Sequence, residues 1–313
     1  MTDHVPVLVA EIVAILQPRS GGHYLDATVG LGGHAEVILQ ASGPTGTLLG
    51  IDRDREALVD AGQRLAPFGP RVILLPGRYE ALAELAGAGR QFDGILFDLG
   101  ASSLQLDTAA RGFSFMHEGP LDMRMDRSAG ETAADLVSHL SERELADLIF
   151  RWGEDRWSRR IARAIVEARR RSPIRTTTAL SAIVARSIPR AAWPRHIHPA
   201  TRTFQALRIA VNDELTGLAR ALETAADLLG PSGRVAAISF HSLEDRIVKQ
   251  TWRGLEAGGR MRILTKRPIC AGEAEATANP RARSAKLRAL ERLPVRRVPT
   301  APPWVPDSFG EAT

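Results

Sequence analysis

Leu25-Asp26-Ala27-Thr28-Val29-Gly30-Leu31-Gly32-Gly33-His34-Ala35 is the stretch that decides how the chain is read. An apolar run over 23–28 meets a glycine-rich turn, and an apolar-periodic segment over 33–41 follows it, which predicts strand, tight turn and helix. Glycines let such a turn close and let a ligand approach the backbone, because no side chain fills the space. Asp52 stands twenty residues beyond Gly32, at the end of a second predicted strand over 46–52, where a carboxylate can accept both hydroxyl hydrogens of a ribose. A nucleoside-containing cofactor fits the two features together.

The alternation continues outward from this unit. A helix is predicted to about residue 66, a strand over 71–75, a helix over 81–86 and a strand over 92–98. Strands and helices alternating at these lengths imply a parallel sheet covered on both faces. After Gly100 the alternation stops. A loop rich in Gly, Phe and Met runs over 111–126, and helices take over, with Ser141 and Glu144 in a capping-box pattern and Ser172-Pro173 and Ile188-Pro189 as stops. In the helix predicted over 157–171, Trp157, Ile161, Ile165 and Ala168 share one face, and Arg159, Arg163 and Arg170 project from the other. The alternation returns with a long amphipathic helix over 205–229, the turn Gly230-Pro231-Ser232-Gly233, a strand over 234–240, a helix, and strands near 261–266 and 285–290. The expected organisation is a discontinuous α/β core, 1–105 and 206–313, interrupted by an all-helical insertion, 106–205. The proline-rich end over 294–306 reads as extended or mobile.

The chain has 313 residues, 44% of them hydrophobic and 25% charged, the balance of an ordinary globular protein. No basic-then-apolar leader opens it and no apolar run is long enough to span a bilayer, so a cytoplasmic protein without a membrane partner is expected. Cys270 is the single cysteine, which excludes a disulfide framework and a cysteine-rich zinc site. His196 and His198 lie in a Trp-Pro-Arg-His-Ile-His-Pro context that reads as a rigid loop, and no metal is expected. The net charge of +5 hides an uneven distribution. Residues 156–202 carry twelve Arg against Glu167, and residues 281–297 carry six Arg and Lys286 against Glu291, so blocks of +11 and +6 sit on a remainder of −12. Such blocks favour a phosphate-bearing partner; the alternative is that Arg-rich helices simply solubilise the fold.

Read permissively, Gly30-x-Gly32-x-x-Ala35 also satisfies a dinucleotide fingerprint, which keeps an NAD-dependent oxidoreductase in view. Asp26 argues against it. A carboxylate ahead of the loop opposes a pyrophosphate but suits the ammonium of S-adenosylmethionine. Tyr79, after the third strand, either covers an adenine or is a core aromatic, and Asp98 ends the fourth strand facing the reacting end of such a cofactor. A non-catalytic RNA-binding ribosome-assembly factor on a nucleotide-binding fold is the alternative from another class.

Eight strings are specific beyond this. His4-Val5-Pro6-Val7, Asp26-Ala27-Thr28-Val29-Gly30-Leu31-Gly32-Gly33-His34, Asp98-Leu99-Gly100-Ala101-Ser102-Ser103 and Arg111-Gly112-Phe113-Ser114-Phe115 fall in the first part of the chain. Gly119-Pro120-Leu121-Asp122-Met123-Arg124-Met125-Asp126, Thr201-Arg202-Thr203-Phe204-Gln205-Ala206-Leu207-Arg208, Ser239-Phe240-His241-Ser242-Leu243-Glu244-Asp245-Arg246 and Asn279-Pro280-Arg281-Ala282-Arg283-Ser284 follow. In this order, over almost the whole chain, they resemble the ribosomal RNA small subunit methyltransferase H family. The resemblance implies a Rossmann-like class I S-adenosylmethionine-dependent methyltransferase fold with an inserted helical RNA-recognition domain. It implies N4-methylation of a decoding-centre cytidine, C1402, of 16S ribosomal RNA, with the RNA or the small ribosomal subunit as partner. The cofactor contacts it implies are Gly32, Gly33, His34, Asp52, Tyr79, Asp98 and Gln105. Tyr79 stands where some relatives have Phe, a change that preserves ring stacking.

Methyl transfer from a sulfonium is an in-line displacement, so the site must align the reactants and exclude water. Asp98 is the candidate acceptor for an amine proton, although the chain lacks the Asp-Pro-Pro-Tyr type of motif. His241 is a second candidate catalytic residue, or else the cap of the next helix. Phe113 and Phe115 either stack on an extruded base or anchor their loop to the insertion. A C5-cytosine product needs a cysteine nucleophile near the strand ends, and Cys270 follows a late strand. Ribose methylation relies on lysines, and Lys249, Lys266 and Lys286 all fall in the last quarter of the chain.

Overall fold

The computed structural model describes residues 6–294. His4 and Val5 of the first motif, the stretch after residue 294 and the basic residues Arg296 and Arg297 lie outside the described residues. In chain order, α1 (Val9–Leu16), β1 (His23–Asp26), α2 (Gly33–Ala41), β2 (Thr47–Asp52), α3 (Arg55–Leu65), β3 (Val72–Pro76), α4 (Leu82–Ala86) and β4 (Phe92–Asp98) form the first half of a sheet. Then come α5 (Ser103–Asp107), α6 (Ala133–His139), α7 (Glu142–Gly153), α8 (Ser158–Arg169), α9 (Thr177–Ser187) and α10 (Thr201–Asn212). The chain returns through α11 (Leu218–Leu228), β5 (Leu229–Ser239), α12 (Ser242–Ala257), β6 (Met261–Ile263), β7 (Ile269–Cys270), α13 (Glu273–Ala278) and β8 (Lys286–Arg292).

The strands order as β3-β2-β1-β4-β5-β8-β6, with β7 beside β8. β1 to β5 run parallel, and β8 enters antiparallel between β5 and β6. Period-two alternation on the strands splits the core between the two faces of the sheet. Leu25, Ile95, Phe97 and Val235 meet α11 and α12 through Leu222, Ala225, Val248 and Trp252. Their neighbours Tyr24, Leu96 and Ala236 meet α1 and α2 through Ile12, Leu16, Ile38 and Leu39. This is the Rossmann-like class I methyltransferase arrangement expected from the sequence. Its strand order reverses between β1 and β4, which opens a crevice at the carboxyl ends of the strands.

The helices between Gly100 and Asp213 gather a separate apolar cluster, in which Leu145, Ile149, Ile161, Ile165, Leu180 and Leu207 are wholly or almost wholly buried. Ser141 caps α7 reciprocally with Glu144, as their spacing predicts. The long helix expected over 205–229 is instead two helices. Asp213 takes a left-handed conformation (φ 48°) and ends α10, and α11 starts at Leu218. Tertiary bonds hold the break: Arg53 donates to the Asn212 carbonyl at 2.7 Å, and the Asn212 side chain takes the Met125 N–H at 2.8 Å and donates to the Met123 carbonyl at 2.7 Å. β5 also begins earlier than its composition suggests, because Leu229 pairs with Phe92 across a register irregularity that absorbs the Gly-Pro-Ser-Gly turn.

Candidate active site

Parallel register brings three carboxylates to one edge. Asp26 pairs with Gly50 and Leu96, Asp52 with Pro76, and Asp98 with Ile238, so β1, β2 and β4 each end on an acid at the crevice. All three line a cavity of about 410 Å³, together with the glycine-rich turn. The turn depends on its glycines: Gly32 lies at φ 80°, and a Cβ there would press on Leu65 at 3.2 Å. Gly30 donates its N–H to Asp52 at 2.7 Å, and Asp54 donates to the other oxygen at 2.8 Å, which fixes the carboxylate toward the cavity. Asp26 accepts from the Thr28 N–H at 3.1 Å, and the Thr28 hydroxyl accepts the Asp98 N–H at 2.6 Å, so the turn ties β1 to β4.

Asp98 opens onto the cavity with 29% of its side chain accessible. One oxygen lies 3.6 Å from His34 Nε2, and the other, Oδ1, has no hydrogen-bond partner among the described residues. Burial pushes the Asp98 carboxyl up to about 8, with Asp26 and Glu244 adding repulsion. Burial raises Asp26 to about 7 and Asp52 to about 6, and backbone N–H donors hold both lower than burial alone would. Three crowded acids, one with an unpartnered buried oxygen, are a site built for a cation. S-adenosylmethionine, with its sulfonium, ammonium and ribose hydroxyls, meets these demands; the pyrophosphate of a dinucleotide does not.

Tyr79 borders the cavity, packs edge-on against Phe97 at 6.2 Å, and donates its hydroxyl to the Glu214 carbonyl. Gln105 also borders it, but its amide is largely committed: the oxygen accepts the Ser102 N–H at 3.0 Å in a capping box, and Nε2 donates to Asp54 at 2.8 Å. Gly33 and His34 line the cavity from the start of α2, with Gly32 directly before them. His241 stands behind the cavity wall, 3.2 Å from Glu244. Its Nδ1 accepts the Glu244 N–H at 3.3 Å as the cap of α12, and its neighbours Phe240 and Glu244, rather than its own ring, line the cavity. Phe113 is buried, and Phe115 packs on Phe204 and His198 at 4.8 Å each, which anchors the loop to the insertion. Arg159 and Arg163 are exposed on α8 and Arg170 at its C-terminal cap, and Arg163 sits 3.5 Å from Glu142.

A family model described as the MraW methylase family matches residues 1–293. The chain belongs to the MraW methylase family. It is 54% identical over 310 residues to the ribosomal RNA small subunit methyltransferase H of Geobacter sulfurreducens, covering 93% of this chain and 99% of the relative. With the protein of that name from Geotalea uraniireducens it shares 52% over 307 residues, covering 93% and 98%. Among solved structures it is similar to an rRNA methylase from Streptococcus thermophilus (TM-score 0.40, 12% identity, covering 91% of this chain and 92% of that one). It is also similar to a SAM-dependent O-methyltransferase from Thermotoga maritima (TM-score 0.42, 10% identity, covering 94% and 68%).

Two features of this MraW methylase site escape sequence reasoning. Arg111 is 1% exposed and pairs with the buried Asp54 at 2.8 Å, and it donates to the Met125 carbonyl at 2.8 Å, so it pins the 111–126 loop to the start of α3. Arg208, Glu214 and Glu244 form a charged wall of the cavity. The strings ending in Leu207-Arg208 and running through Leu243-Glu244 were conspicuous in the sequence, yet nothing local to either string says that they face each other.

Proposed function

We propose that the chain transfers a methyl group from S-adenosylmethionine to the exocyclic N4 of a decoding-centre cytidine, C1402, of 16S ribosomal RNA. The convergence of Asp26, Asp52 and Asp98 on one cavity carries this reading. The names of its relatives support the ribosomal substrate.

S-adenosylmethionine supplies, when bound, an electrophilic methyl group on a sulfonium. Asp52 holds ribose hydroxyls, Tyr79 covers the adenine, and Asp26 faces the ammonium. Asp98 receives an N–H of the cytosine amine through its unpartnered oxygen. An amine conjugated to the ring is a poor nucleophile, and an acceptor that draws on one N–H favours the pyramidal nitrogen that reacts. The carboxyl, held up to about 8, is basic enough to take that proton afterwards. The placement of other nucleophiles supports an amine target: Cys270 is exposed on β7, and Lys249, Lys266 and Lys286 stand away from the cavity lining. The helical segment with its exposed Arg stripe serves in this reading as the RNA-recognition domain.

Calorimetry with S-adenosylmethionine and with NAD, followed by transfer of labelled methyl to free 16S RNA, to a pre-subunit and to the 30S particle, tests the proposal. Binding of the first cofactor alone, with label in at least one RNA-containing substrate, is the expected result. NAD binding, or cofactor binding without transfer to any of the three, contradicts it.

A further inference from the structure

Arg208 extends from α10 into the cavity wall, with 16% of its side chain accessible. Nε and Nη2 donate to the two oxygens of Glu214, each at 2.9 Å, and this fork sets the plane of the guanidinium. Nη1 takes no part in that fork. Glu214 is itself fixed, because its carbonyl takes the Tyr79 hydroxyl and the neighbouring Asp213 carbonyl takes Arg78 at 3.3 Å. Glu214, His241 and Glu244 bring donor atoms within 4.8 Å of one another, and Arg208 is the cation that neutralises this group. Burial pulls the guanidinium pKa down, but Glu214 and Glu244 outweigh it and hold it above the usual value, so Arg208 is a permanent donor.

Gly100 marks its place relative to Asp98. Gly100 has φ 93°, and a Cβ built there would stand 3.8 Å from Arg208 Nη2, 3.9 Å from Glu244 Oε1 and 3.5 Å from Phe240. Arg208 thus borders the backbone two residues beyond Asp98, on the wall of the same cavity, with the partly exposed ring of Phe240 beside it. An acceptor, Asp98, and a donor, Arg208, line the same cavity. The edge of cytosine that carries the reacting amine shows N4–H as donor and N3 as acceptor, side by side. Uracil shows the reverse, O4 as acceptor and N3–H as donor, so its N3–H meets a guanidinium that has only donors.

We propose that Arg208, aligned by Glu214, is the specificity-determining residue that reads N3 of the target cytosine while Asp98 takes its amine. This rests on the cytosine-N4 reading above and adds to it the residue that reads the ring nitrogen beside the reacting amine. Removing a guanidinium contact of this kind costs about tenfold or more in discrimination.

The test is single-turnover methyl transfer, with saturating S-adenosylmethionine, to a 16S fragment carrying cytidine or 3-deazacytidine at the target. The deaza base keeps the amine and replaces N3 by C–H. The wild type is expected to lose about tenfold or more on 3-deazacytidine. In Arg208→Gln combined with Glu214→Gln, which leaves no unpaired charge of that couple, the same replacement should cost no more than about twofold, because the electronic effect of the deaza base persists while the contact is gone. Cofactor affinity of that variant should match the wild type. Arg208→Lys, which keeps charge without the fork, should fall between. Equal wild-type rates on both bases overturn the proposal, whether or not any variant folds. An undiminished deaza penalty in the folded variant overturns it too, as does a loss of cofactor affinity that accounts for the rate. Absence of transfer to cytidine by the wild type overturns the functional reading itself, and this inference with it.

Discussion

Asp98 ends β4 with one oxygen near His34 and the other unpartnered among the described residues, and it keeps its proton up to about pH 8. Burial, not an ion pair, sets that value, so the ionised form accumulates only as pH rises through it. If Asp98 must be ionised to accept the amine proton, kcat/KM climbs with pH with its midpoint near 8, the free protein's value, and levels off above it, whereas the midpoint of kcat lies lower, because a bound cation favours the carboxylate. Asp98→Asn should lower kcat by about 10² or more and remove the rising limb, with the S-adenosylmethionine Kd changed far less. A pH profile of both proteins checks this. Asp52→Ala should act in the opposite way. Two charge-assisted bonds of about 1.5 to 3 kcal/mol each are at stake, so cofactor affinity drops by about 10² or more in a folded protein. Unchanged affinity by calorimetry would remove Asp52 from the site. Both aspartates were legible in the sequence because each closes an apolar run. Arg208 was not, because its setting depends on Glu214, beyond the break that ends α10, and on Gly100, after a distant strand.

At the scale of elements, the glycine-rich turn and the strands up to β4 were readable because their signals are local. The bounds of α2 and β4 agree with those expected to the residue. The break between α10 and α11 was not readable, since the apolar period runs through it and the cause lies in Arg53, Arg78 and Tyr79 on distant loops. The 111–126 loop is a similar case. Arg111 and Asp54, both at most 2% exposed, form a buried pair. Arg111→Ala strands the Asp54 charge and should cost about 3 to 5 kcal/mol, seen as a lower midpoint in denaturant with the wild-type slope. A shift below about 1 kcal/mol would show that the pair does not hold the loop. Along α8 and its caps, Ile161 and Ile165 are buried and Arg159, Arg163 and Arg170 exposed, as the sequence pattern predicts, whereas Trp157 and Ala168 of the apolar face are only half-buried. Changing the three Arg to Gln should weaken RNA binding and reduce the slope of log affinity against log salt by up to about 2, at about 0.7 per phosphate contact, with cofactor affinity retained. Unaltered RNA affinity and slope would make the stripe ordinary solvated surface.

Over the whole molecule, a discontinuous sheet supplies the cofactor end of the cavity, and α10, at the far end of the helical segment, supplies Arg208. Glu154 at the end of α7 reinforces this junction, since it pairs with Arg246 of α12 at 2.8 Å and its carbonyl accepts Arg202 of α10 at 3.1 Å. The basic block over 156–202 lies in the same helical segment, so under the proposed function the charge that would draw in RNA belongs to the part of the chain that leads into the cavity wall. The central claim is the atom that receives the methyl group. Nucleoside mass spectrometry of 16S RNA treated with the protein and deuterated-methyl S-adenosylmethionine reads that atom directly. Label in N4-methylcytidine is the predicted result; label in 5-methylcytidine, in 2′-O-methylcytidine or in any adenosine contradicts the account.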